Sequence, residues 1–168
     1  MPPQVPFSNP FERTHPMADI RSEVIDVLND LIETSHDGEY GFRTLAERVE
    51  SARLKQVFTD RSTNCAQAAQ ELIQWVRAQG GEPADGGTAS GALHRGWVNV
   101  KGAVGADSEV SMLEEAERGE DSALARYRKA LKENLPADVR AVVERQAQGA
   151  QKNHDDIKAM RDEARARS

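Results

Sequence analysis

The sequence predicts an all-α protein: a four-helix bundle of two antiparallel helix hairpins joined by one long crossover that contains a short helix. Apolar residues recur at three- and four-residue steps through four long segments, the links within each pair are short, and the link between the pairs is long. Composition agrees. Hydrophobic residues make up 38% of the chain and charged residues 30%, with only 5% aromatic, a balance that suits packed helices better than a β-sandwich.

The first helix carries Ile20, Val24, Val27, Leu28, Leu31 and Ile32, then Phe42, Leu45, Ala46 and Val49. Between these runs lies "TSHDGEYGF", whose Asp-Gly pair ordinarily marks a turn. Phase decides the matter. Steps of three and four from Leu31 and Ile32 pass Ser35 and Gly38 or Glu39 and land on Phe42, Leu45 and Val49, where an uninterrupted helix puts them. One helix from roughly Asp19 to Ser51 is therefore expected, with Glu39 on its core-facing stripe. Gly38 and Gly41 each cost about 1 kcal/mol relative to Ala, a cost that close approach of another helix can justify.

The second helix runs from about Leu54 to Gln79, with Leu54, Val57, Phe58, Ala69, Leu72 and Val76 inward and Arg61 and Cys65 at mid-stripe. "AQGGEP" ends it with a glycine cap and a following proline. Residues 80–106 form the connection, in which "ALHRGWVNVKGAVGA" is expected to make a short helix that anchors Leu93 and Trp97 on the bundle. A third helix starts near Asp107, with Val110, Leu113, Leu124, Tyr127 and Leu131 on its stripe. "NLP" ends it, and Pro136 suits the first turn of a fourth helix carrying Val139, Val143, Ala150, Ile157 and Met160. A single crossover of bundle length is the ferritin-like arrangement. Residues 1–18 are expected to be a disordered Pro-rich arm, and residues 19–166 the bundle.

Charge and motifs exclude several classes. A net charge of −6 argues against nucleic-acid binding, which needs a basic face. The single cysteine, Cys65, rules out an intrachain disulfide and Cys-rich metal sites. No apolar run reaches membrane-span length and no signal-peptide core is visible, so a soluble cytoplasmic protein is expected. There is no phosphate loop and no dinucleotide fingerprint. His94-Arg95-Gly96-Trp97 reads as an anchor of the crossover.

Polar residues at core positions carry the functional signal. Glu117 and Glu120 interrupt the stripe of the third helix, and His154, with Gln151 one turn earlier, that of the fourth. Glu39, Glu120 and His154 lie near the middles of their helices and should meet at similar depth. Two facing carboxylates repel unless a cation lies between them. The candidates are a metal ion, a protonated His154, and Arg61. Carboxylate oxygens with one imidazole suit a single Fe, Mn or Zn ion. A metal-free polar network that fixes helix register is the alternative.

At these residues the chain resembles a known group. "VLNDLIETSHDGEYGFRTLAE", "GALHRGWVNVKGAV", "EEAERGEDSALARYRKAL" and "NHDDIKAMRD", spanning about Ile20 to Asp162, resemble an uncharacterised bacterial family of ferritin-like four-helix bundles, a domain of unknown function. The resemblance implies the fold but no reaction. More distantly, "DGEYGFRTLAE" and "RGEDSALARY" are similar to the first- and third-helix segments of rubrerythrins. That likeness implies metal-ligand roles for Glu39 and Glu120 and for His154. Two departures stand against a diiron centre: Gln151 replaces the expected acid before His154, and the second-helix motif, falling at Cys65-Ala66-Gln67-Ala68, is absent. Two functions are thus expected: a bundle binding one metal ion in stress or redox protection, or a non-enzymatic structural or interaction bundle. Either is expected to be a homo-oligomer, a dimer.

Overall fold

The computed structural model describes residues 17–86 and 108–168. These form four helices: α1 (Met17–Arg48), α2 (Ala52–Ala78), α3 (Glu109–Leu131) and α4 (Ala137–Arg167). There is no strand among the described residues. The short crossover helix, the His94–Trp97 segment and residues 1–16 of the Pro-rich arm lie outside the described residues.

α1 is unbroken through Asp37, Gly38 and Gly41, as the preserved phase requires. Its glycine at 38 has a packing reason: a Cβ there would stand 2.7 Å from Sγ of Cys65, so α1 and α2 approach each other tightly at this point. Above and below it, Ile25 lies against Gly81, and the Phe42 ring lies 6.2 Å from that of Phe58. Residue numbers rise along α1 as they fall along α2, the order of an antiparallel hairpin. α3 and α4 pair the same way, Tyr127 meeting Gln146 and Glu114 meeting Arg165.

The helix ends follow local chemistry. The Ser51 hydroxyl accepts from the Leu54 N–H at 3.3 Å to cap α2, and Ser108 accepts from Ser111 at 3.1 Å to cap α3. α2 closes on Gly80, whose φ of 79° lets its N–H reach the Arg77 carbonyl while Gly81 reaches that of Val76. Both bonds satisfy carbonyls that the helix would otherwise leave open. Pro136 stands at the cap of α4, one residue before the first turn in which it was expected.

The core divides in two. One apolar cluster gathers Phe42, Leu45, Phe58, Met112, Leu113 and Ile157; the other gathers Leu28, Leu31, Leu72, Val76, Val139 and Val143. The first holds the end of α1, the starts of α2 and α3 and the end of α4; the second holds the opposite ends. α2 thus terminates at one end of the bundle and α3 begins at the other, the relation a crossover demands. Between the clusters the buried residues turn polar: Thr34, Ser35, Asp37 and Glu120 are each less than a tenth exposed.

Gly149 sits in the exposed middle of α4 with open space where a Cβ would go. Gly149→Ala should therefore raise stability by about 0.5–1 kcal/mol, read as a higher urea midpoint at unchanged slope.

Candidate functional site

The acidic face of α3 and the middle of α4 build the one group among the described residues that brings three metal-ligating side chains together: Glu117, Asp121 and His154, whose ligand atoms lie within 4.8 Å of one another. Glu117 and Asp121 are four residues apart and so project from one face of α3. His154 faces them across the α3–α4 seam, Nε2 lying 2.8 Å from Asp121 Oδ1 and 3.9 Å from Glu117 Oε1. The other ring nitrogen, Nδ1, lies 3.1 Å from Asp155 Oδ1. That contact orients the ring and leaves Nε2 for the α3 carboxylates. It also holds the Asp155 carboxyl below the usual carboxylate range, with help from Gln151. The second Glu117 oxygen accepts from Arg161, which also holds Asp162.

Set against the sequence reading, this arrangement keeps one of three expected ligands in the group and places the other two elsewhere. His154 is in the group. Glu120 points to the interior, 5% exposed, and lines the polar space between the two apolar clusters. Glu39 is about a third exposed on the flank of α1, 3.4 Å from His36 Nδ1 and 3.9 Å from Arg43. The reason is rotation. Successive helix residues are turned by about 100°, and it is Asp37 and Gly38 that face inward here. Glu117 interrupts the apolar stripe in the sequence, whereas Asp121 lies off it. Its signal was the four-residue spacing from Glu117.

The waist holds a cavity of about 360 Å³ walled by all four helices. Glu120 has no hydrogen bond or ion pair at contact distance among the described residues, and its surroundings act through space. Burial pushes its carboxyl up to about 7, against the pull of Arg61 and His154. Arg61 is in turn lowered by burial, against the through-space pull of Glu120 and of Asp156, the latter 3.5 Å away. Burial likewise raises the Cys65 thiol, with the Glu120 and Glu39 charges adding and Arg61 opposing. A thiol raised in this way is a poor nucleophile at neutral pH.

A dinuclear carboxylate centre does not fit this waist. α2 contributes Arg61 and Cys65 near Glu120 and no carboxylate that joins it, and the residues lining the cavity form no metal-ligating group. The group at Glu117, Asp121 and His154 does fit a single ion, offering two oxygens and one imidazole nitrogen on two rigid helices.

The protein is a ferritin-like four-helix bundle. Residues 23–133 match the family described as a domain of unknown function, DUF2383, and the chain belongs to that family. No curated protein matches it. Among solved structures it is similar to a mutant of Dps1 from Mycobacterium smegmatis, with a TM-score of 0.72 at 16% identity over 85% of this chain and 97% of that one. It is similar to the bacterioferritin-related protein of Bacteroides fragilis, described as a dodecameric thioferritin, with a TM-score of 0.73 at 18% identity over 88% and 89%. A ferritin-like, diiron-carboxylate protein of Bacillus anthracis str. Ames gives 0.67 at 18% over 84% and 96%. At these identities the likeness is one of fold. No helix among the described residues is long and apolar enough to cross a membrane.

Proposed function

We propose that the protein binds one divalent metal ion at His154, Glu117 and Asp121, and through it serves in metal handling or redox protection. The convergence of the three donors across the α3–α4 seam carries this reading. Both ring nitrogens of His154 face carboxylate oxygens, Nε2 that of Asp121 and Nδ1 that of Asp155. An ion bound here would take His154 through Nε2, with Asp155 beside Nδ1 fixing the ring's orientation. Fe, Mn and Zn all accept such a donor set, and the bound ion supplies Lewis-acid or, for Fe and Mn, redox chemistry. Arg161 on the second Glu117 oxygen orients that carboxylate.

The test is elemental analysis of untagged protein before and after reconstitution with ferrous iron, manganese or zinc. About one ion per chain is expected in the wild type and none in His154→Ala. Calorimetry in buffers of different ionisation enthalpy should show proton release on binding. Retention of metal by a Glu117→Ala/Asp121→Ala protein and its loss from Glu39→Ala/Glu120→Ala would move the site to the waist, onto the set read from helix phase.

A second reading, a metal-free bundle whose polar groups fix helix register, draws support from the Arg161–Glu117 and Arg61–Asp156 pairs. It predicts no metal under any of these conditions. The dodecameric Bacteroides fragilis neighbour supports self-assembly for this chain too. A homodimer is the smallest such unit, to be checked by light scattering. A cytoplasmic setting suits either reading.

A further inference from the structure

The waist cavity is separate from the proposed metal group and has a different chemistry. At about 360 Å³ it is within the range of small-molecule sites, and at about 30 Å³ each it has room for about a dozen waters. Its floor is the Phe42 ring and the small side chains of Ala68, Ala123 and Ala150. Its rim carries two guanidiniums, each already engaged: Arg126 by Asp30 and Arg145 by Glu71. The neutral groups are also committed in part, since Tyr127 donates to Gln146 at 3.0 Å and shares a hydrogen bond with Ser35. Glu120 is the exception: 5% exposed and lining the cavity, it feels Arg61 and His154 only through space and makes no hydrogen bond among the described residues, so its carboxylate oxygens are open to the cavity.

We propose that this cavity is a binding site for a small organic cation, a primary ammonium compound with at least one further hydrogen-bonding group, held by the Glu120 carboxylate and the surrounding hydroxyl and amide side chains.

The sign of the ligand follows from which charges are committed. An anion would have to draw Arg126 or Arg145 away from its carboxylate and would lie beside Glu120. A cation finds an acceptor whose hydrogen-bonding capacity is open. A bare metal ion is disfavoured because the acidic and thiol groups of the wall do not converge on one point. Entry is from the side. α2 and α4 approach each other least of the packed pairs, and exposed Asn64 and Gln67 on α2 face exposed Gly149 on α4 across the opening.

The experiment titrates full-length protein in EDTA with three probes of one length: 4-aminobutan-1-ol, butane-1,4-diol and 4-hydroxybutanoate. EDTA removes any ion from the α3–α4 group, so failure of the metal reading does not affect the outcome. Calorimetry or thermal shift should give the amine a dissociation constant at least about tenfold below that of the diol, with no detectable binding of the anion. Glu120→Gln should weaken the amine by about tenfold or more and bring it level with the diol. Gly149→Trp, placed where a side chain meets open space, should close the mouth and abolish binding while circular dichroism shows an intact bundle. The proposal is overturned if the amine does not bind, if the three probes bind alike, or if the amine's affinity is unchanged in both variants.

Discussion

Replacing Glu120 by glutamine in metal-stripped protein is expected to raise the unfolding free energy at pH 8 by about 2–3 kcal/mol and to leave it nearly unchanged near pH 4. In the folded chain the carboxyl titrates at about 7 instead of its ordinary 4.5, chiefly because burial disfavours the ionised form. Its protonated form is therefore the one the fold prefers. Below pH 4.5 the group is protonated in both folded and unfolded chains and costs nothing. As pH rises toward 7 the unfolded chain ionises and the folded one resists, and stability falls by about 3 kcal/mol for a displacement of this size. Glutamine has no charge to bury. Its loss of attraction to Arg61 takes a part of the gain, which is why the lower figure is kept, and Asp156 remains at 3.5 Å to hold the guanidinium. Urea unfolding of both proteins across this pH range measures the effect as the difference between their pH profiles. A variant less stable than wild type at pH 8 would mean that the Glu120–Arg61 attraction outweighs burial.

Gly38→Ala is expected to destabilise the bundle by about 1–2 kcal/mol, and the same substitution in a Cys65→Ala background to stabilise it. The new methyl would stand 2.7 Å from the Cys65 sulfur and 3.6 Å from its Cβ. Cys65 packs against the Phe42–Phe58 cluster and lines the waist cavity, so relief requires its sulfur to leave its rotamer or the two helices to separate. Overpacking of this kind typically costs 1–3 kcal/mol, and the better helix propensity of alanine returns about 1 kcal/mol. With the sulfur gone only the propensity gain is left. The reversal of sign in a double-mutant cycle is the measurement. Equal effects in both backgrounds would show that the close approach of α1 and α2 at this level is not what glycine is there for.

These two residues also show how far the sequence could be read. The phase of apolar residues across "TSHDGEYGF" is enough to recover a continuous α1, because a helix keeps its register over any length. Phase likewise places Glu120 inside, where it is. Glu39 sits at the edge of the stripe, where a rotation of one residue moves a side chain from core to flank, and it lies about a third exposed. The α3–α4 group was harder still. Which carboxylate of α3 meets His154 depends on the axial offset between two helices, and periodicity within each helix is silent about that offset. Five acids crowd Glu114 to Asp121. Only the packed pair shows that Glu117 and Asp121 face His154, while Glu115 turns inward and pairs with Arg118.

The two dry ends of the bundle have a kinetic consequence for whatever occupies its waist. Among the described residues the waist is flanked axially by buried apolar side chains, Leu31 and Leu72 on one side and Phe42 and Met112 on the other, and the proposed mouth between α2 and α4 would make traffic lateral. Residence time then depends on what lies against that seam. Self-assembly through the bundle ends would leave exchange fast, whereas assembly that covered α2 and α4 would turn the waist into a sealed compartment, its contents fixed when the subunits met.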